Sequence, residues 1–139
     1  MKPELIAGGT HVDPRGALMY NNDFDASEVK RIYLIENKDI TVVRAWQGHK
    51  IEQRWFTAVL GVFRIQLIKI DNWEQPSKTL IVESYILNSD SLNFLHIPAG
   101  YVSSIQSISS SSKLLVLADY FLDDNNDEYR YEINYFSNS

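Results

Sequence analysis

The sequence predicts an all-β fold, a sandwich or a barrel, and three observations carry that prediction. Apolar runs of strand length, separated by turn residues, recur along the chain. No window holds a sustained 3.6-residue apolar period bounded by helix caps. At 139 residues the chain has the usual size of one domain with one core, so residues 1–139 are read as a single domain.

The strand-like runs, in chain order, are Arg31–Glu36 (RIYLIE), Thr41–Trp46, Arg54–Leu60, Val62–Ile70, Thr79–Leu87, Asn93–Ile97 and Lys113–Tyr120. Most are rich in β-branched or aromatic residues, and so many short strands imply a sandwich or barrel. Leu60-Gly61 separates two of them. A glycine there supplies the positive φ of a tight turn, so 54–60 and 62–70 are expected to pair as an antiparallel hairpin. Asp71–Lys78 (DNWEQPSK), Asn88–Ser91 and the serine-rich Ser107–Ser112 read as loops. After Tyr120 an acidic DDNNDE stretch is expected as a solvated loop or short helical turn. The aromatic tail YRYEINYFSNS is expected to pack on the barrel or on a second subunit.

Composition removes several function classes. Apolar residues make up 45% and charged residues 22% of the chain, a globular balance. Cysteine is absent, which excludes disulfides, thiolate metal sites and a cysteine nucleophile. A net charge of −5 without a basic block argues against nucleic acid as a partner. The N-terminus MKPELIAGGTHVDPRG has no apolar run of signal-peptide length, and no stretch approaches the roughly 20 apolar residues that span a bilayer. A cytoplasmic protein without a membrane partner is the expectation.

The chemistry-bearing residues fall on a known spacing. Gln47, His49, Arg54 and Gly61, then Pro98, Gly100 and Ser103, stand at a spacing that resembles the cupin pattern of two histidines one residue apart, an acid five residues on, a glycine seven further, and then Pro-x-Gly with a histidine three residues after that glycine. The scaffold positions match while His49 alone survives among the metal-ligand positions, and Arg54 places a fixed positive charge where an anionic ligand would sit. No metal and no other cofactor is expected.

Metal-free cupins include the dTDP-4-dehydrorhamnose 3,5-epimerases and the WxcM-like dTDP-4-oxo-sugar 3,4-ketoisomerases, and four stretches resemble that group. Asp13-Pro14-Arg15-Gly16 looks like its Asp-x-Arg-Gly segment. Arg31-Ile32-Tyr33 followed by Arg44-Ala45-Trp46-Gln47-Gly48-His49-Lys50 resembles Arg-x-Tyr and then Arg-Gly-x-His-Ala-His-Lys, with the spacing kept. Leu95-His96-Ile97-Pro98-Ala99-Gly100-Tyr101 resembles the segment before the epimerase Ala-His-Gly, and Asp127-Glu128-Tyr129-Arg130 resembles the ending Asp-Tyr-Ile-Arg.

The resemblance implies a double-stranded β-helix, the cupin jelly roll, assembled as a homodimer and holding a nucleotide-linked 4-keto-6-deoxy sugar in its mouth. The implied chemistry, part of surface-polysaccharide biosynthesis, is proton abstraction next to the ketone and reprotonation of the enediolate. Arg44 matches a phosphate-binding arginine, with Arg15 and Arg31 as companions, since guanidinium groups bind phosphate oxygens bidentately. Tyr33, Arg54 and Tyr101 are the further substrate-binding candidates. Gln47 replaces the base histidine with an amide that cannot take a proton near neutral pH. His49, whose ordinary pKa is near 6.5, is left as the candidate base.

Plainer readings stand beside these. His49 alone is also explained as a hydrogen-bonded structural residue, His96 is read as structural and His11 as loop. Trp46, Trp55, Phe56, Phe63 and Tyr101 serve equally as core or as stacking surface. If Arg54 lines the cavity, its burial demands an anionic partner; Glu52 is set aside as being off its face, and Gln66 across the expected hairpin is placed within reach. Binding of a nucleotide sugar or other small anion without turnover is the alternative function, and a filled scaffolding barrel a third.

Overall fold

The computed structural model describes residues 1–139 and contains twelve strands and no helix. The strands are β1 (Glu4–Ile6), β2 (Gly9–Asp13), β3 (Gly16–Tyr20), β4 (Arg31–Ile35), β5 (Val43–His49), β6 (Arg54–Leu60), β7 (Val62–Lys69), β8 (Glu83–Asn88), β9 (Phe94–Ile97), β10 (Tyr101–Ser107), β11 (Lys113–Ala118) and β12 (Tyr129–Arg130). Two five-stranded antiparallel sheets form, in the orders β1-β9-β6-β11-β4 and β12-β5-β10-β7-β8, and β2 and β3 make a separate hairpin. This is the expected jelly roll.

Period-two burial builds the core. On β7, Phe63, Ile65 and Leu67 point inward and are fully buried, while Arg64 and Lys69 are exposed. Phe56 and Ala58 of β6, Leu95 and Ile97 of β9, and Leu114 and Val116 of β11 meet them from the other sheet. Each of these side chains larger than alanine contributes about 1.5–3 kcal/mol on burial. The outer face of the second sheet is covered as well. Trp46, Ile68, Ile70 and Val102 pack against Phe136, and the Tyr131 hydroxyl donates to the Trp73 carbonyl at 2.5 Å. The aromatic tail therefore closes on its own barrel, and the acidic stretch before it is a loop.

The expected hairpin at Gly61 is overturned. β6 is bonded to β9 and β11, whereas β7 is bonded to β10 and β8, so the two strands lie in different sheets. Gly61, at φ 72°, turns the chain from one sheet to the other. A glycine fixes the turn but not the partner, and both strands alternate correctly for one shared core. Other boundaries moved too. The run expected from Thr79 becomes a strand only at Glu83, and β1 to β3, β10 and β12 were missed. His11 lies on β2 rather than in a loop. β10 (YVSSIQS) was hidden by serines, two of which, Ser104 and Ser107, are buried in the sheet.

Candidate active site

A cavity of about 680 Å³ opens between the sheets. Its wall is set by the register of β5 on β10, where His49 faces Tyr101 and Gln47 faces Ser103. Strict alternation would bring Ala45 inward next. Instead the register shifts and Arg44 stands opposite Ile105, one residue further than the pleat allows. Such a bulge re-aims a side chain, and it sets Arg44, Gln47 and His49 in one row facing the core residues Tyr101 and Ile105. The opposite wall comes from Arg54 and Phe56 of β6, Ile97 of β9, and Tyr33 and Ile35 of β4. The wall holds Val43–His49, Arg54 and Phe56, but nothing from β7, because that strand fills its inner face with Phe63, Ile65 and Leu67.

Gly48 is required between Gln47 and His49. A Cβ there would stand 2.2 Å from the Tyr101 carbonyl oxygen, so only glycine lets β5 and β10 approach this closely.

Arg54 finds its partner in Glu52, not Gln66. Its Nη2 donates to Glu52 Oε2 at 2.8 Å and lies 2.8 Å from His49 Nε2. Residues two apart on an extended chain project to one side, so Glu52 shares the face of Arg54, contrary to the expectation from the sequence. Gln66 sits in the other sheet and reaches Ser84 instead. Burial, with the adjacent Arg54 and more weakly Arg31 against the pull of Asp127, lowers the His49 pKa to about 4, leaving a neutral ring at pH 7. Burial, helped by Glu83 and Tyr85, raises the Tyr101 pKa, so its hydroxyl stays protonated.

The remaining candidates divide. Arg44 lines the cavity and its Nε donates to Asn37 Oδ1 at 2.8 Å. Tyr33 lines it too, with the Arg31 guanidinium 5.3 Å from its ring centroid, while Arg31 itself is not part of the lining. Arg15 lies at the tip of the β2–β3 hairpin, paired with Asp13 at 2.7 Å and outside the cavity of its own chain. His96 is held by Gln53 at 2.7 Å and stacks on Trp55, a structural arrangement. Of the aromatic set, Phe56 and Tyr101 line the cavity, Trp46 turns its ring outward onto Phe136, and Trp55 and Phe63 lie outside the cavity.

Several participants have a role that the sequence alone does not assign. Glu52, Asn37, Glu128 and Asp127 are contributed by segments flanking the strands. Glu128 accepts from Gln47 and from Arg130, the latter at 2.9 Å, at the cavity edge. The Asp-x-x-Arg ending was the signal for Asp127 and Arg130, but no spacing rule tied it to β5. The site does not suit a divalent metal: no group of three or more His, Asp or Glu side chains converges, and the one imidazole faces a guanidinium.

The family model described as FdtA, "WxcM-like, C-terminal", matches residues 1–139. No curated protein matches the chain in sequence. Among solved structures, a 3,4-ketoisomerase from Helicobacter canadensis is 24% identical over 97% of this chain and 95% of its own, with a TM-score of 0.72. The TDP-quinovose 3,4-ketoisomerase WlaRB from Campylobacter jejuni is 25% identical over 96% of this chain and 95% of its own, with a TM-score of 0.69. A histidine-to-asparagine variant of the 3,4-ketoisomerase QdtA from Thermoanaerobacterium thermosaccharolyticum, in complex with TDP-4-keto-6-deoxyglucose, is 23% identical. It covers 96% of this chain and 90% of its own, at a TM-score of 0.71.

Proposed function

The chain belongs to the WxcM-like family, and from that premise we propose that it is an isomerase or epimerase of a dTDP-linked 4-keto-6-deoxy sugar in surface-polysaccharide biosynthesis. The observation that carries this reading is the row Arg44, Gln47, His49 on one cavity wall, an anion-binding group and a titratable ring separated by a neutral hydrogen-bonding amide. Arg44 holds the diphosphate, and Tyr33 and Tyr101 flank the sugar. His49 moves the proton on carbon, and Gln47 steadies the charge that develops on the carbonyl oxygen. One imidazole suits a shift of the ketone between neighbouring carbons better than epimerisation at two. The test is incubation of dTDP-4-keto-6-deoxyglucose with the protein in deuterated buffer. Deuterium entering next to the ketone, lost in His49→Ala, is expected; no exchange at any carbon overturns the enzymatic reading.

Gln47 in the place of the first histidine favours a second reading, binding without turnover. Saturable dTDP binding, lost in Arg44→Ala, without exchange would establish it.

We treat residues 1–139 as one domain, which the extent of the family match supports, and place it in the cytoplasm with its nucleotide-linked substrate. No helix is long and apolar enough to cross a membrane. A homodimer is proposed because β4 is a sheet edge with Ile32 63% and Leu34 57% exposed. The projecting β2–β3 hairpin, which carries Arg15, is a second exposed element. Light scattering that gives a mass near the single-chain 16.0 kDa would overturn it.

A further inference from the structure

The hydrogen bonds around His49 are not those of a base ready to act. Arg54 Nη2 is 2.8 Å from His49 Nε2, and Glu52 Oε2, itself 2.8 Å from that Nη2, is 3.6 Å from the same ring nitrogen. A guanidinium only donates. Nε2 therefore offers its lone pair to Arg54, and the one proton of the neutral ring sits on Nδ1. In that tautomer Nδ1 has no lone pair with which to take a proton from carbon. If Glu52 faced Nε2 instead, it would accept an Nε2–H and the lone pair would appear on Nδ1.

Arg54 is also incompletely bonded. Its Nε and Nη1 are buried without a partner, its side chain is only 8% exposed, and the residue lines the cavity. Buried cationic donors left unpaired are costly, so a substrate oxygen brought into the cavity competes well for this guanidinium.

We propose that Arg54 and Glu52 compete for Nε2 of His49, and that a substrate oxygen engaging Arg54 passes Nε2 to Glu52, converting His49 from a donor into a base only when substrate is bound. The substrate half rests on the keto-sugar reading above; the resting half does not. Arg54 and Glu52 are positioning residues in this scheme. With Nε2–H held by Glu52, the proton on the carbon next to the ketone passes to Nδ1, and its electron pair passes through the enediolate to the carbonyl oxygen. The hydroxyl proton of that carbon moves to the former carbonyl oxygen, and Nδ1 returns its proton to the neighbouring carbon. Asp127 favours the protonated ring at that stage, and Arg31 opposes it.

The test is long-range proton–nitrogen NMR on protein labelled at its three histidines, with the His49 signals identified by their loss in His49→Asn. In the free protein, an Nδ1-protonated ring with bare Nε2 is expected. In Arg54→Met and Arg54→Leu, where Glu52 is the remaining partner, the proton moves to Nε2 and the titration midpoint rises from about 4. Addition of dTDP-4-keto-6-deoxyglucose to the unmodified protein gives the same change of tautomer. An Nε2-protonated ring in the free protein overturns the inference without any variant having to fold, as does an unchanged ring in folded Arg54 variants. A saturating keto sugar that leaves the tautomer unchanged overturns the substrate half. A keto sugar that fails to bind removes the proposed function and its trigger together, while the free protein alone decides the resting arrangement.

Discussion

Asp127 grips the backbone of Glu52: its Oδ2 accepts the Glu52 amide at 2.8 Å, and the same carboxylate accepts the amides of Lys50 at 2.9 Å and Ile51 at 2.8 Å. The acidic loop thereby fixes the segment between β5 and β6, and with it the pair that surrounds His49. Asp127 is 3% exposed, so its loss strands three amides. Asp127→Ala should destabilise the fold by about 3 kcal/mol, read as a lower urea midpoint, with Asp127→Asn costing less because one accepting oxygen remains.

The depressed pKa of His49 predicts how stability changes with pH. Unfolded, the ring takes a proton below about 6.5; folded, it does so only near 4, because burial and Arg54 oppose the charge. Between these values the unfolded state binds the extra proton, so stability falls as the pH drops through that window and levels off below it. The loss is on the order of 3 kcal/mol. His49→Asn should lose much less stability across the same window, measured by urea unfolding at pH 7 and pH 4.5; parallel losses in both proteins would refute the assignment.

Asn37 is 7% exposed and accepts from Arg44 Nε at 2.8 Å. Arg44→Ala should weaken dTDP binding about tenfold or more, the effect of one lost charge-assisted contact. Asn37→Ala keeps the charge but frees the side chain, and should weaken binding by a smaller factor. Calorimetric titration with dTDP distinguishes the two, and equal affinity in all three proteins would place the diphosphate elsewhere.

At Gly61 a Cβ would meet the Ser111 carbonyl oxygen at 2.1 Å, on a backbone with φ 72°. Gly61→Ala should therefore cost about 2 kcal/mol or more, because the strained conformation and the clash add. A thermal melt unchanged from the parent would contradict the sheet-to-sheet turn at Gly61.

The all-β class was legible in the sequence, because strand-length runs between turn signals recur along it; the buried faces were not, since β7 alternates around Phe63, Ile65 and Leu67 while β6 buries five residues in succession. Arg44, Gln47 and His49 stand close together in the sequence, with Arg54 at the start of the next run. Strand pairing and the meeting of faces come only with the closed barrel. Gly61 announced a turn, yet the choice between a hairpin and a passage to the second sheet depended on β9, β10 and β11, which arrive much later in the chain. The bulge that brings Arg44 rather than Ala45 inward is a property of the β5–β10 register. Asp127 reaches the Glu52 amide across 75 residues of sequence. Periodicity records the local division between core and solvent, whereas these contacts are made between segments that meet only after the barrel has closed.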